Sequence, residues 1–420
     1  MKPEFVALGD VYRFDWPDLN ISIELDRLAE ERGQGLSCEI VVQSERPPRP
    51  GLLTRQRFNL SAGQTRKTLA KMLEDRAPEL DWAGMLEQVC FLALDRWRTG
   101  DPLVDLRQVS LADRPRWLLQ PYVEMGGPTD LFADGGTGKS VMALAIAASV
   151  ASGQAVVGTH RPFQSGAVLY LDWETDRYVH RERLAAIVKG AGLSFDDMAP
   201  IYYRQEVASL PEAAAYLRRQ IVEREVVMVI VDSLGPARGD DPESAGATIR
   251  VFNAARSLAV PTLFVDHVTK AEGTKKKPFG SVYAYNLSRL VWGMVKAQSE
   301  GEAVVNMALS CHKSNNGLLL PRHGYSIDFQ GEGEALESIC FRECDPTMLP
   351  GFGEFLSRKD QIAGVLKANH GAPMTPDDIA LALEVDGIEL GANAVRAALN
   401  RYSGHPFVKA GQGWSLIFSS

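Results

Sequence analysis

The residues Ala133-Asp-Gly-Gly-Thr-Gly-Lys-Ser140 constrain this chain more tightly than any other stretch of it. Glycines alone make a turn, but a turn has no need of the Lys-Ser that follows. In such a loop successive backbone N–H groups converge on the β- and γ-phosphates of a nucleotide, Lys139 adds a point charge, and the Ser140 hydroxyl takes a Mg²⁺ coordination position. The expected cradle is therefore Asp134, Gly135, Gly136, Thr137, Gly138, Lys139 and Ser140, and the expected cofactors are ATP and Mg²⁺. The flanks fit. Thr129 to Phe132 reads as a strand exit, and Val141 to Gly153 reads as a buried helix ended by glycine, with its N-terminal dipole facing the phosphates. Ala133 stands where the pattern G-x-x-x-x-G-K-S/T begins with Gly, a tolerable change at a strand exit; Gly138 and Lys139 admit no such replacement.

A chain of 420 residues has room for two or three domains. Its formal net charge of −8 excludes a globally basic nucleic-acid coat, so DNA contacts must come from local patches, of which Lys275-Lys276-Lys277 is one. Five scattered cysteines argue against a disulfide framework, and Cys311-His312 with Cys340 and Cys344 matches no common zinc spacing. Neither a signal-peptide pattern nor a membrane-length apolar run is present, so a cytoplasmic protein without membrane contact is expected.

Three segments follow from the patterning. Residues 1–115 mix strand character at Tyr12–Trp16 and Ser37–Val42 with helical periodicity at Arg66–Arg76 and Trp82–Trp97, which predicts a small α+β domain of unknown role. From 116 to 350, continuous apolar runs at Ala167–Trp173, Val226–Val231 and Pro261–Val265 predict parallel strands buried on both faces. Pro211–Glu223 and Glu243–Leu258 supply crossover helices, and strand-like stretches at Leu290–Val295, Val304–Cys311, Tyr325–Phe329 and Ile339–Arg342 extend the sheet in antiparallel fashion. From 355 to 420, helices at Lys359–Asn369, Thr375–Leu383 and Asn393–Tyr402, with Thr375 and Asn393 as caps, precede a hairpin turning at Ala410–Gly413. Three helices and a hairpin make a winged helix-turn-helix.

Two carboxylates close apolar runs at the ligand edge of the sheet. Asp232 is placed to hold Mg²⁺ through water, and Glu174 to orient or deprotonate the attacking water. Asp172 competes with Glu174, since alternation puts both on one side of a strand; Glu174 lies further out, nearer the ligand.

The order phosphate loop, Leu169-Tyr-Leu-Asp-Trp-Glu174, Ile230-Val-Asp232-Ser, Val265-Asp-His267-Val-Thr-Lys270, Phe279-Gly280-Ser281 and His312-Lys313-Ser-Asn315 resembles the RecA-type ATPases grouped with the plasmid replicative helicase RepA. The resemblance spans residues 117–345 and neither flank. It implies an α/β fold with a RecA-like, mostly parallel core. It also implies that Glu174 is the catalytic glutamate, that His267 senses the γ-phosphate, and that Arg289, nine residues after Gly280, is an arginine finger reaching a neighbouring subunit's nucleotide. Lys313 assists at the same interface. By residue type alone, His267 reads as a strand-end histidine and Arg289 as a surface cation; the ordered context is what assigns them roles. A finger of this kind works only in a homo-oligomer, and the resemblance implies a hexameric ring.

The polar stretches Gly235–Gly246 and Ala271–Pro278 are expected at the ligand edge, where in such rings they face the channel. Lys275, Lys276 and Lys277 repeated around a ring give a cationic collar for a single-stranded DNA backbone. Acidic and basic residues balance at six each in 355–420, so DNA and protein docking are equally open to the winged helix. The expected function is an ATP-hydrolysing ring motor on DNA in replication of a mobile element. A filament-forming recombination or repair ATPase and an ATP-gated DNA-binding or scaffold protein are the alternatives.

Overall fold

The computed structural model describes residues 2–8, 11–31, 35–46, 50–100, 103–110, 115–239, 244–268, 282–298, 301–315, 317–332, 335–349, 352 and 356–417. Lys275, Lys276, Lys277 and Gly280 lie outside them.

Alternation of apolar and polar residues begins the chain. β1 (Glu4–Leu8), β2 (Val11–Trp16), β3 (Ile21–Glu31), β4 (Gly35–Ser44) and β5 (Gly51–Asn59) form an antiparallel meander in that spatial order. Every second residue, such as Tyr12, Phe14, Ile23, Leu25, Ile40 and Val42, enters one core shared with α1 (Gly63–Glu74) and α2 (Trp82–Thr99). Two strands are expected here and five are found. β3 and β5 carry Glu24, Asp26, Arg55 and Arg57 on the opposite face, and this dilutes the apolar signal that marks a strand.

A short hairpin, β6 (Trp117–Leu119) with β7 (Val123–Glu124), leads into β8 (Thr129–Ala133) and α3 (Lys139–Ser152). There follow β9 (Ala167–Asp172), α4 (Arg177–Gly190), β10 (Ile201–Gln205), α5 (Leu210–Glu223), β11 (Val226–Asp232), α6 (Leu234–Ala237), α7 (Ala245–Ser257), β12 (Thr262–His267), α8 (Val282–Leu287), β13 (Leu290–Ala297), β14 (Val304–Ser314), β15 (His323–Glu332) and β16 (Ala335–Cys344). The sheet order is β10-β9-β11-β12-β8-β13-β14-β15-β16. It is parallel from β10 to β13 and antiparallel beyond. α3 and α4 bury one face, and α5 and α7 the other, as continuous apolar strands demand. Arg219 of α5 reaches across to Glu24 at 2.9 Å and Asp26 at 3.5 Å, so the polar face of the N-terminal meander rests on this helix.

α9 (Arg358–Ala368), α10 (Pro376–Val385) and α11 (Ala392–Arg401), with the hairpin β17 (Phe407–Ala410) and β18 (Gly413–Leu416), enclose a separate small core around Ile362, Leu366, Ile379, Val395, Leu399 and Phe407. Thr375 caps α10 and exchanges hydrogen bonds with Asp378. Asn393 does not cap α11: Gly391 holds that position, and the Asn393 side chain accepts from Arg396 inside the helix. Arg322 pairs with Asp360, Lys367 meets Asp345 at 2.5 Å, and these contacts fasten the C-terminal helices to the large sheet. Among the described residues no helix is long and apolar enough to cross a membrane.

Candidate active site

In an open parallel sheet, ligands meet the strands at their carboxyl ends. Four neighbouring strands, β9, β11, β12 and β8, end here within reach of one another. β8 exits into the glycine loop, where Gly136 (φ 70°) and Gly138 (φ 95°) adopt the left-handed backbone that only glycine takes freely. A side chain at Gly135 or Gly136 would meet nothing within 4 Å, so the loop's outer side is open. Lys139 is 6% exposed, and its Nζ donates to the Ala133 and Asp134 carbonyls at 3.0 Å each. Burial lowers the Lys139 pKa, opposed by the charges of Asp232, Glu174, Asp266 and Asp134. An open glycine turn with an inward ammonium fits a phosphate chain.

Asp232 ends β11 and is 3% exposed. Tyr170 of β9 donates its hydroxyl to Asp232 Oδ2 at 2.5 Å, and the Ser140 hydroxyl hydrogen-bonds both groups. Burial raises the Asp232 carboxyl, and the hydrogen bonds from Tyr170 and Ser140 oppose that rise. An alcohol beside a carboxylate at the foot of the phosphate loop is a donor set suited to a hard divalent cation such as Mg²⁺.

Glu174 and Asp172 fall in different surroundings. β9 ends at Asp172, so alternation does not carry on to Glu174. Asp172 is buried and accepts from the backbone of Glu174 (3.0 Å) and Thr175 (3.1 Å), from Tyr203 (2.9 Å), and lies 3.1 Å from His180 Nε2. Burial pushes its carboxyl up, but those hydrogen bonds outweigh it and leave the pKa below the ordinary value. Its work is to fold the turn that carries Glu174. The Glu174 side chain is 43% exposed, accepts from the Ser233 hydroxyl, and stands 3.3 Å from His267 Nε2. His267, at the end of β12, also lies 3.5 Å from Lys139 Nζ through Nδ1. Lys139, Glu174 and His267 thus form one connected polar chain at the open edge.

Arg289 is elsewhere. β13 runs parallel to β8 with Leu290 opposite Thr129, and the Arg289 amide donates to the Pro128 carbonyl at 2.9 Å. Arg289 therefore sits at the beginning of these strands, whereas the phosphate loop leaves from their end, about 13 Å away over four residues of strand. Lys313 is close to Arg289, which together with burial lowers its pKa. Its Nζ donates to the carbonyls of Tyr285 (2.8 Å), Asn286 (2.7 Å) and Ser288 (2.7 Å), capping the end of α8.

Tyr170 and Ser233 are contributors that sequence reasoning does not single out. Tyr170 hides in an apolar run as one more buried aromatic, and Ser233 is seen only as the neighbour of Asp232.

Residues 93–273 match the model of a family described as AAA domain. The matched stretch takes in the phosphate loop, Glu174, Asp232 and His267, and stops short of Arg289 and Lys313. It supports a P-loop ATPase. No curated protein matches the chain. Among solved structures, the chain is similar to a KaiC-like protein from the hyperthermophilic archaeon Pyrococcus horikoshii at 13% identity and a TM-score of 0.36, over 54% of this chain and 93% of that one.

Proposed function

We propose that this chain is an ATP-hydrolysing ring motor of RecA type acting on DNA, as a replicative helicase of the RepA kind. The observation that carries the reading is the connected set Lys139, Glu174 and His267 beside the Ser140–Asp232 pair, at the open ends of adjacent parallel strands.

In this reading Asp134 to Ser140 cradle the phosphates, and Ser140 and Asp232 hold Mg²⁺, which when bound neutralises phosphate charge. Glu174 draws the proton from the attacking water, His267 reports the γ-phosphate, and Lys139 stabilises the charge that develops on the leaving oxygens. Arg289 acts on the nucleotide of an adjacent copy, with Lys313 bracing the same edge. Support for a shared site comes from the distance between Arg289 and its own phosphate loop. Residues 1–115, 116–350 and 355–420 act as three units, the last as a winged helix-turn-helix, and Lys275 to Lys277 contact single-stranded DNA.

The test is ATP turnover with and without single-stranded DNA, native mass, and strand displacement on a forked duplex. DNA-stimulated hydrolysis by an oligomer that unwinds the fork is expected. Filaments without unwinding would transfer the reading to a recombination ATPase. Turnover indifferent to DNA would leave the gated scaffold.

A further inference from the structure

Three charged side chains lie buried behind the phosphate loop and have no part in the chemistry above. Asp130 and Asp266 are 0% exposed and Arg238 is 1% exposed. Asp130 on β8 faces Phe264, and Asp266 on β12 faces Phe132, which makes the two acids diagonal neighbours on one face of adjacent strands. Arg238 Nη2 stands 3.6 Å from Asp266 Oδ2, and Asp266 Oδ1 accepts the His267 backbone N–H at 2.9 Å. Neither carboxylate oxygen of Asp130 has a hydrogen-bond partner among the described residues.

These contacts close a circuit. Glu174 accepts from Ser233, and Ser233 is the N-cap of α6. Arg238 is the C-cap at the other end of that helix and faces Asp266. Asp266 holds the His267 amide, and the His267 ring returns to Glu174 at 3.3 Å. The exit from the circuit is confined as well: Gly239 has φ 69°, and a Cβ there would run into the Ser209 side chain.

We infer that Arg238 is a positioning residue: through Asp266 it fixes His267 against Glu174, and it couples both to the segment that leaves Asp232. The inference rests on the roles given to Glu174 and His267 above. The Arg238 guanidinium supplies the opposite charge that Asp266 faces in this buried cluster, where burial and the proximity of Asp266 push the Asp130 carboxyl well above the usual range. Removing the cation leaves Asp266 without that partner, whereas removing both charges restores the balance.

Two variants decide the matter: Arg238→Met, and the same change combined with Asp266→Asn. Affinity for a fluorescent ATP analogue, kcat, KM and the thermal midpoint are measured on the full chain. Arg238→Met is expected to bind the analogue within about threefold of wild type while kcat falls about 10- to 100-fold, the size of loss that follows small misplacements of reacting groups. The double variant recovers the midpoint but not kcat. If kcat returns with the midpoint, or if Arg238→Met turns over normally, the cluster is only a packing feature and the inference is overturned. A wild-type chain that binds and hydrolyses no nucleotide overturns the functional reading and this inference together.

Discussion

The Nε2 atom of His267 lies 3.3 Å from Oε1 of Glu174, although 93 residues separate them in the chain. Neither side chain is locked in the interior, since 40% of the one and 43% of the other remain exposed. A water approaching this pair from the open side would find a carboxylate acceptor beside a ring nitrogen. Glu174→Gln keeps the shape and the contact with Ser233 but removes the base. Turnover should fall by roughly 10² to 10⁴, the range of a lost general base, with nucleotide affinity nearly unchanged. Single-turnover hydrolysis checks it; an undiminished rate moves the base to another residue.

Lys139 and Arg289 stand at opposite ends of β8 and β13, so each single variant is expected to be inactive for a different reason. Lys139→Ala should weaken nucleotide affinity at least about tenfold, or ~1.4 kcal/mol. Arg289→Ala should bind normally and fail to hydrolyse. Mixed in equal amounts and allowed to exchange, the two inactive proteins should regain about a quarter of wild-type turnover, because random neighbours join an intact Lys139 to an intact Arg289 at one interface in four. No recovery would mean that Arg289 serves its own chain.

Asp130 gives a pH signature. Burial, with Asp266 alongside, holds its carboxyl well above the ordinary carboxylate range. A raised acid contributes stability that is complete below its unfolded pKa and is lost as pH rises toward the folded one. Asp130→Asn is neutral throughout and escapes that loss. Its thermal midpoint relative to wild type should climb as the pH rises above about 4, where the unfolded carboxyl ionises. A flat difference would show Asp130 ionised in the fold.

Gly364 lies inside α9, where alanine ordinarily stabilises a helix by about 1 kcal/mol. Here a Cβ would come within 2.8 Å of the Thr347 carbonyl oxygen. Gly364→Ala should therefore loosen the C-terminal helices from the large sheet, seen as faster proteolysis between 345 and 357 in the full chain. Unchanged cleavage would mean that the Thr347 segment gives way without cost.

Much of the nucleotide edge was legible because its signals are local. Glycine spacing, a following Lys-Ser and a strand before them are properties of eight neighbouring residues. Glu174 was legible as a carboxylate just past an apolar run, but its position depends on Asp172, whose hydrogen bonds to Tyr203 and His180 join distant segments. Arg238 was not legible at all: a cation in a Gly-Pro-Ala-Arg-Gly stretch reads as a surface loop, and only the placement of β8 beside β12 makes it a core residue. The N-terminal meander was half seen for a similar reason. Glu24 and Asp26 look solvent-facing in sequence, and the residue they answer, Arg219, is almost two hundred positions away.

α3 has a mechanical consequence. From Val141 to Ala151 no residue is more than 8% exposed, so the helix that begins at Lys139 is wedged on every side. Interiors packed to this degree transmit force rather than absorb it. A ligand seated on the N-terminus of α3 pushes against an anvil. Any recoil would be taken up on the less tightly packed side, where the His267 and Glu174 side chains are 40% and 43% exposed.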